Sequence, residues 1–327
     1  MRNYLIRRTI QFIPLLIIIS IFSFYLLHTS PHDPLDHLRF DYMGRERTYE
    51  EMESLKKVYG LHRPWYYRYV IWVKNLLQGD LGYSRIFQQP VFALMKDRIW
   101  NSLQLNVFAF LISIPLAIVV GIYSALRQYS WGDYLATFLT FFGRAMPLFW
   151  LAIMVLIIFG AILGWFPMSG MSEIGYDIEN VGWWKFLLDR LHHMFMPGMV
   201  LVFSGMTGYV RYVRSSFLEV IRLDYIRTAR AKGLSERVVI YKHAFRNAMI
   251  PIITLLGFEI PGLFGGALIV EQIFAWPGIG YLVWQAVRQK DFILAITALM
   301  FYTLLTLIGM LLADVFYAIA DPRIKYE

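Results

Sequence analysis

The first thirty residues, "MRNYLIRRTIQFIPLLIIISIFSFYLLHTS" (1–30), admit two readings, and the choice between them decides the fold class. A basic start ahead of an apolar run is the pattern of a cleaved secretory leader. Here the apolar run extends from Ile10 to Leu27, longer than a leader's core, and no small-x-small cleavage site follows it. We read it as a retained membrane helix. The whole chain agrees: 58% of its 327 residues are hydrophobic, 17% are charged and the mean hydropathy is +0.50. A soluble domain has too little polar surface to hide that much apolar material. The chain therefore reads as an all-α integral membrane protein.

Its net charge of +8 raises nucleic acid as a partner. The basic residues, however, lie beside apolar runs, where the positive-inside rule accounts for them, so membrane lipid is the expected surrounding and nucleic acid is not. The absence of cysteine excludes disulfides and thiolate metal sites.

A spanning helix needs about 20 mostly apolar residues, because a rise of 1.5 Å per residue must cover a core roughly 30 Å thick. Six stretches are expected to cross: 9–28, 103–126, 134–163, 195–213, 251–275 and 292–318. The third is long enough to tilt or project. The fourth is the weakest, and its "PGMVLVFSGMTG" (197–208) suits close helix–helix approach. Arg2, Arg7 and Arg8 precede the first run, Arg127 follows the second, and Arg323 and Lys325 end the chain. The segment 211–250 carries nine basic residues. All of these fall on one side, which places both termini in the cytoplasm.

Four regions follow: an N-terminal transmembrane helix (1–29), an extracytoplasmic helical segment (30–100), a five-helix core (101–320) containing a cytoplasmic loop (214–250), and a cytoplasmic tail (321–327). In the external segment, Thr48 and Glu51 form a capping box and Gly60 stops the helix they open. Pro64 opens a second helix that closes at Gly79.

The loop is the odd part of an oily chain. "DYIRTARAKGLSERVVIYKHAFRNAMIP" (224–251) reads as the end of one helix, from Ser215 to Lys232, a break at Gly233, and a second helix capped by Ser235. Ala229 and Gly233, four apart, are expected to give one bare face near the break. Such a cationic, interrupted helix suits a groove on a cytoplasmic partner, although a basic loop can also be simply a solvated face. Nowhere does lysine follow glycine, so no G-x-x-x-x-G-K-[ST] phosphate cradle exists and nucleotide-driven work would need a separate ATPase.

At "RTARAKG" (227–233) the chain resembles the E-A-A-x-x-x-G loop of binding-protein-dependent ABC importer permeases. Arg227 stands for the pattern's Glu, Thr228 for its first Ala, Ala229 for its second and Gly233 for its Gly. "LHTSPHDPL" (27–35), "YGLHRPWYYRYVIWVKNLLQGDLGYS" (59–84), "VEQIFAWPGIG" (270–280) and "ADVFYAIADPRIKYE" (313–327) are similar to the dipeptide, oligopeptide and nickel branch, in its first-permease form. The resemblance implies a type I importer core in a prokaryotic cell membrane. It also implies a second homologous permease, two ATPase subunits that hold the ATP and magnesium, and an extracytoplasmic binding protein. This chain would be a non-catalytic permease with no cofactor of its own. Peptides are the implied cargo, with nickel or oligosaccharide as alternatives. The coupling contact is implied at Arg227, Thr228, Ala229, Arg230, Ala231, Lys232, Gly233, Leu234, Ser235 and Glu236. An autonomous secondary transporter is the reading from another class, but no internal repeat supports it.

Charge inside a membrane is expensive and usually functional. Arg144 and Glu259 lie at similar depths in the third and fifth runs, roughly 15 and 12 Å from the basic side at 1.5 Å per residue. They are expected to pair, or to face the translocation path. Asp314, near the inner end of the sixth run, is expected to cap or pair locally, and Glu271 is expected by the outer mouth, before the glycine-proline turn "AWPGIG" (275–280). "HTSPHDPLDH" (28–37) offers His28, Asp33, His32, Asp36 and His37, but two prolines remove any helical ligand geometry and no metal site is expected. The adjacent His192 and His193 are read as marking a wet membrane boundary.

Overall fold

The structure, a computed structural model, describes residues 2–29, 45–58, 60–84 and 86–320. The tail 321–327 and most of the His/Asp motif, including His32, Asp33, Asp36 and His37, lie outside the described residues. In chain order the helices begin with α1 (Arg2–Thr29), α2 (Tyr49–Val58) and α3 (Trp65–Leu77). A two-residue strand pair follows, β1 (Tyr83–Ser84) and β2 (Gln89–Pro90), antiparallel with Tyr83 opposite Pro90. Then come α4 (Val91–Leu126), α5 (Trp131–Ala145), α6 (Leu148–Val155), α7 (Ile178–Val181) and α8 (Trp183–Val220). The chain ends with α9 (Asp224–Ala231), α10 (Glu236–Val238), α11 (Phe245–Phe264), α12 (Leu268–Ile273), α13 (Ile279–Arg288) and α14 (Phe292–Ala320). Residues Leu156–Ile162 and Val239–Ala244 are π-helical, the first continuing α6 and the second joining α10 to α11.

The chain forms two compact units. The first comprises Met1–Arg98 and Leu282–Leu305. Its local grammar follows the sequence. The Thr48 N–H donates to Glu51 Oε2 at 2.8 Å, Glu51 N–H returns the bond to Thr48 Oγ1 at 3.4 Å, and Gly60 takes φ +66 beyond α2. Pro64 sits at the N-cap of α3, and Gly79 is left-handed just past its end. Phe24 of α1 packs against Tyr69 and Trp72 of α3 and against Ile296 and Met300 of α14. The buried Asp291 caps α14: it accepts from Leu294 N–H at 3.2 Å and from Ser84 Oγ at 2.5 Å. This bond ties the β-turn to the start of α14.

The second unit comprises Ile99–Tyr281 and Thr306–Glu327, and α8 is its central helix, packed against α5, α6, α11 and α12. Three corrections to the expected spans belong here. The run 134–163 is not one helix. Pro147 disfavours the α conformation at the residue before it, so Met146 adopts φ −80 and ψ 126, and the two halves are bent by 107°. The run 251–275 is also interrupted: Gly266, at φ +68, separates α11 from α12, and the stretch from Glu236 to Ile273 is bent by 43°. The stretch 195–213 is the middle of a 38-residue helix, α8, that holds Pro197 internally.

Among the described residues, α1, α4 and α14 are each long and apolar enough to cross a membrane, and the two bent pairs raise the number to five if each is one span. Of the two adjacent histidines, His193 is 5% exposed and donates from Nδ1 to the Asp189 carbonyl at 3.0 Å, while the exposed His192 donates from Nε2 to the Trp165 carbonyl at 2.9 Å.

Candidate functional site

The charged loop folds as a short helix pinned at two points. α8 ends at Val220, and a turn at Ile221–Leu223 leads into α9, so Ser215–Lys232 is two elements where one helix was expected. Ile226 and Ala229, three apart and therefore on one face, are 0% and 6% exposed. They enter a core with Val213 and Phe217 of α8, Val239, and Ala248 and Ile252 of α11. Around them Arg227, Thr228, Arg230, Ala231 and Lys232 are exposed. Two further bonds hold the base: Ser216 Oγ to the Ala248 carbonyl at 2.8 Å, and Asn247 Nδ2 to the Tyr225 hydroxyl at 2.9 Å.

Beyond α9, Gly233 takes φ +76 and its N–H reaches the Arg230 carbonyl at 2.9 Å. Ala229 and Gly233 do not share a face: one is core, and the other lies past the helix end in the open. Ser235 occupies the N-cap of α10 with extended backbone, but its side chain makes no capping bond. The break is bridged instead by Arg230 and Glu236, whose bidentate pair spans 2.7 and 3.2 Å. Exposed as they are, these charges add little stability, about 0–1 kcal/mol, but they fix the direction of the turn. Leu223, Leu234, Val238 and Tyr241 project apolar surface beside the cations, with Tyr241 66% exposed. Apolar side chains within a rim of positive charge are the composition of a protein contact surface.

The second candidate is a cavity of about 420 Å³ lined by α4, α5, α8 and α11. Arg144 and Glu259 both line it, with Asn106, Ser113, Ser204, Tyr209 and Tyr212 among the polar groups. Tyr209 of α8 and Glu259 of α11 face this same space. Among the described residues no ion pair joins Arg144 to Glu259 within 4 Å; the two charges share the cavity without touching. Gly205 and Gly208 open its α8 wall. Arg144 also borders a neighbouring cavity of about 750 Å³ between α5 and α8, which carries Arg211 and Arg214.

Two polar clusters were not legible as sites. Asp133, 3% exposed, accepts from Arg214 Nε and Nη2 at 3.1 Å each, from the Tyr129 N–H at 2.9 Å and from Ser124 Oγ. It joins α4, α5 and α8 at the end nearest α9. Ser130–Trp131 announces the helix start, but nothing local points to Arg214, eighty-one residues away.

Glu271 is fully buried and accepts from Ser102 Oγ at 2.7 Å, Ala267 N–H at 3.0 Å and Tyr281 N–H at 2.9 Å. The W-P-G-I-G turn wraps it: Asn101 Nδ2 donates to the Pro277 carbonyl and Trp276 Nε1 to the Asn101 carbonyl, each at 3.0 Å. The glycines of that turn were the available signal, since a backbone drawn tightly around a carboxylate leaves no room for Cβ atoms.

Comparison with known proteins identifies the family. Residues 117–326 match the family model described as "binding-protein-dependent transport system inner membrane component", and residues 1–106 match the model of the N-terminal part of such membrane components. The chain is 38% identical to an oligopeptide transport system permease protein, AppB, of Bacillus subtilis, over the full length of both. It is 35% identical, again over the full length of both, to a dipeptide transport system permease protein, DppB, of Alkalihalophilus pseudofirmus.

Proposed function

The chain belongs to the inner membrane components of binding-protein-dependent transport systems, and on that premise we propose that it is one of two homologous permease subunits in an ATP-driven peptide importer. The carrying observation is α9: a helix anchored inward by Ile226 and Ala229 while its other faces offer cations and apolar side chains to a partner. In this reading two separate ATPase subunits hold ATP and magnesium, and each grips one permease at the segment corresponding to 227–236. An extracytoplasmic binding protein delivers the cargo. Peptides are the class named for both relatives.

The packing supports a transmission route. α9 shares its core with α8 and α11, so a partner that displaces α9 must load both helices. Those two helices carry Tyr209 and Glu259 into the 420 Å³ cavity that also holds Arg144, our candidate for this subunit's half of the translocation path. The surrounding layout is six spans with both termini cytoplasmic. Residues 30–100 lie outside, and 101–320 form the core that carries loop 214–250.

The test is uptake of a labelled peptide by proteoliposomes holding the whole complex, with ATP inside and binding protein outside. Gly233→Trp should lower ATP-dependent uptake at least tenfold and release the ATPases on purification, with membrane insertion unchanged. A Cβ at Gly233 meets no atom within 4 Å, so the defect would come from the left-handed backbone and the partner surface, not from a disturbed core. Full uptake by Gly233→Trp, or uptake by the isolated chain without ATPases, would end this reading.

A further inference from the structure

The first unit contains a cavity of about 510 Å³ that the transport reading does not use, within the ~300–1,000 Å³ range of small-molecule sites. Its position relative to lipid is fixed by the two spans that reach it. Phe24 lies in the last turn of the α1 span Thr9–Leu26, and Phe292 begins the α14 span Phe292–Leu312. The cavity therefore opens where hydrocarbon meets headgroups. Its floor is apolar and aromatic, with Trp72 of α3 beside those two phenylalanines. Aromatic rings are enriched at that depth of a bilayer.

The rim is cationic. Lys57 lies in the last turn of α2, Arg63 and Arg68 flank the start of α3, and Lys290 enters from the turn before α14. Asp80 and Asp291 are the acids of the lining, and each already accepts hydrogen bonds: Asp80 from Gly82 N–H at 2.8 Å, and Asp291 from Leu294 N–H at the start of α14 and from the Ser84 hydroxyl. Arg68 donates to His28 Nδ1 at 3.2 Å and Arg63 lies 4.7 Å from the Tyr67 ring, which hold both guanidinium groups in place.

Lys290 adds an independent sign. It closes α13 with φ +60, a position where glycine is the usual residue and a lysine is strained. The Lys290 N–H reaches the Val287 carbonyl at 3.2 Å, and Asp291 N–H reaches that of Ala286 at 2.8 Å. Strained conformations of this kind cluster at ligand sites.

The geometry points to a binding site for a phospholipid with an anionic head, its phosphate among Lys57, Arg63, Arg68 and Lys290 and its acyl chains leaving over Phe24 and Phe292. The shared chemistry is a phosphate, which a soluble phosphate would also supply; the apolar floor at the membrane surface assigns it to lipid.

Native mass spectrometry of the complete transporter, extracted from nanodiscs of phosphatidylcholine with or without phosphatidylglycerol, tests this. Wild type should retain phosphatidylglycerol in preference to phosphatidylcholine. The double variant Lys57→Gln/Lys290→Gln should retain roughly tenfold less or lower still, since each cation near an anionic headgroup carries a substantial share of the attraction. Lys57→Arg/Lys290→Arg, which keeps both charges, should retain it as wild type does and so separates lost charge from lost folding. Equal retention of the two lipids, or unchanged retention by the glutamine variant, overturns the proposal. Displacement of the lipid by inorganic phosphate would reassign the site to a free anion and overturn it equally.

Discussion

A buried carboxylate with three donors is a commitment that neighbouring residues must respect, and Glu271 shows how far that reaches. Gly278 exists as a glycine because of it, and Gly280 is kept bare by the Leu268 backbone together with Glu271. A Cβ at Gly278 would overlap the Glu271 carboxyl group, and one at Gly280 would come 2.8 Å from Leu268 Cα and 3.0 Å from Glu271 Oε2. Overpacking of this kind costs about 1–3 kcal/mol, and leaving a buried donor unmet costs about as much. Gly278→Ala should therefore lower the thermal midpoint of the solubilised protein, and so should Glu271→Ala. Because the clash in the first variant needs the carboxylate removed in the second, the double variant should be more stable than the sum of the two losses predicts, by about 1 kcal/mol or more. Strict additivity in that double-mutant cycle would show that the glycines serve something other than Glu271. The sequence displayed both halves of this arrangement, a glutamate in an apolar run and a glycine-proline turn. It did not display Ser102, the residue that joins them from α4 across 169 positions.

At the level of elements, local signals were readable and long-range ones were not. The Thr48–Glu51 box, Pro64, Gly60 and Gly79 all act within a few residues, and each terminates or opens a helix where its chemistry says it should. Ser235 stands at the N-cap without a capping bond, and the Arg230–Glu236 pair bridges the break instead. Pro147 was equally local, yet a continuous apolar run concealed it: hydropathy counts Met146–Pro147 as span, whereas backbone sterics break the helix there. The Asp133 cluster is the long-range case, in which α4, α5 and α8 meet through Ser124, Asp133 and Arg214. Removing the cation of a buried pair strands the acid, a loss of about 3–5 kcal/mol when both partners are dry. The Arg214 side chain is 30% exposed, so we expect Arg214→Ala to cost less than that, on the order of 1–3 kcal/mol. Ser124→Ala should cost about 1 kcal/mol. Hydrogen exchange at the first turn of α5 reads this directly: it should speed up more in Arg214→Ala than in Ser124→Ala, and the reverse order would mean that the serine, not the ion pair, holds the helices.

For the whole molecule, the number of spans and the side on which α9 lies both turn on α8 crossing the membrane. Hydropathy alone does not select α8. Lys185, Asp189 and Arg190 lie near one end and Arg211 and Arg214 near the other, while the middle is rich in small residues. Its burial argues for crossing all the same. Twelve of its residues are buried, against partners in α5, α6, α11 and α12, and a helix sheathed by other helices needs no lipid-facing apolar coat of its own. At 1.5 Å per residue its 38 residues extend about 57 Å, more than the ~30 Å hydrocarbon core requires. The natural absence of cysteine turns this into a clean measurement, since any introduced thiol is the sole target of a membrane-impermeant maleimide. Tyr66, Ile174 and Tyr241 are well exposed. Two spans, α4 and the bent α5–α6 pair, separate Tyr66 from Ile174, so Tyr66→Cys and Ile174→Cys should both label in intact cells. Only α8 separates Ile174 from Tyr241, so Tyr241→Cys should label only after the membrane is opened. Labelling of Tyr241→Cys in intact cells would mean that α8 does not cross, and it would put α9 on the wrong side for any cytoplasmic ATPase.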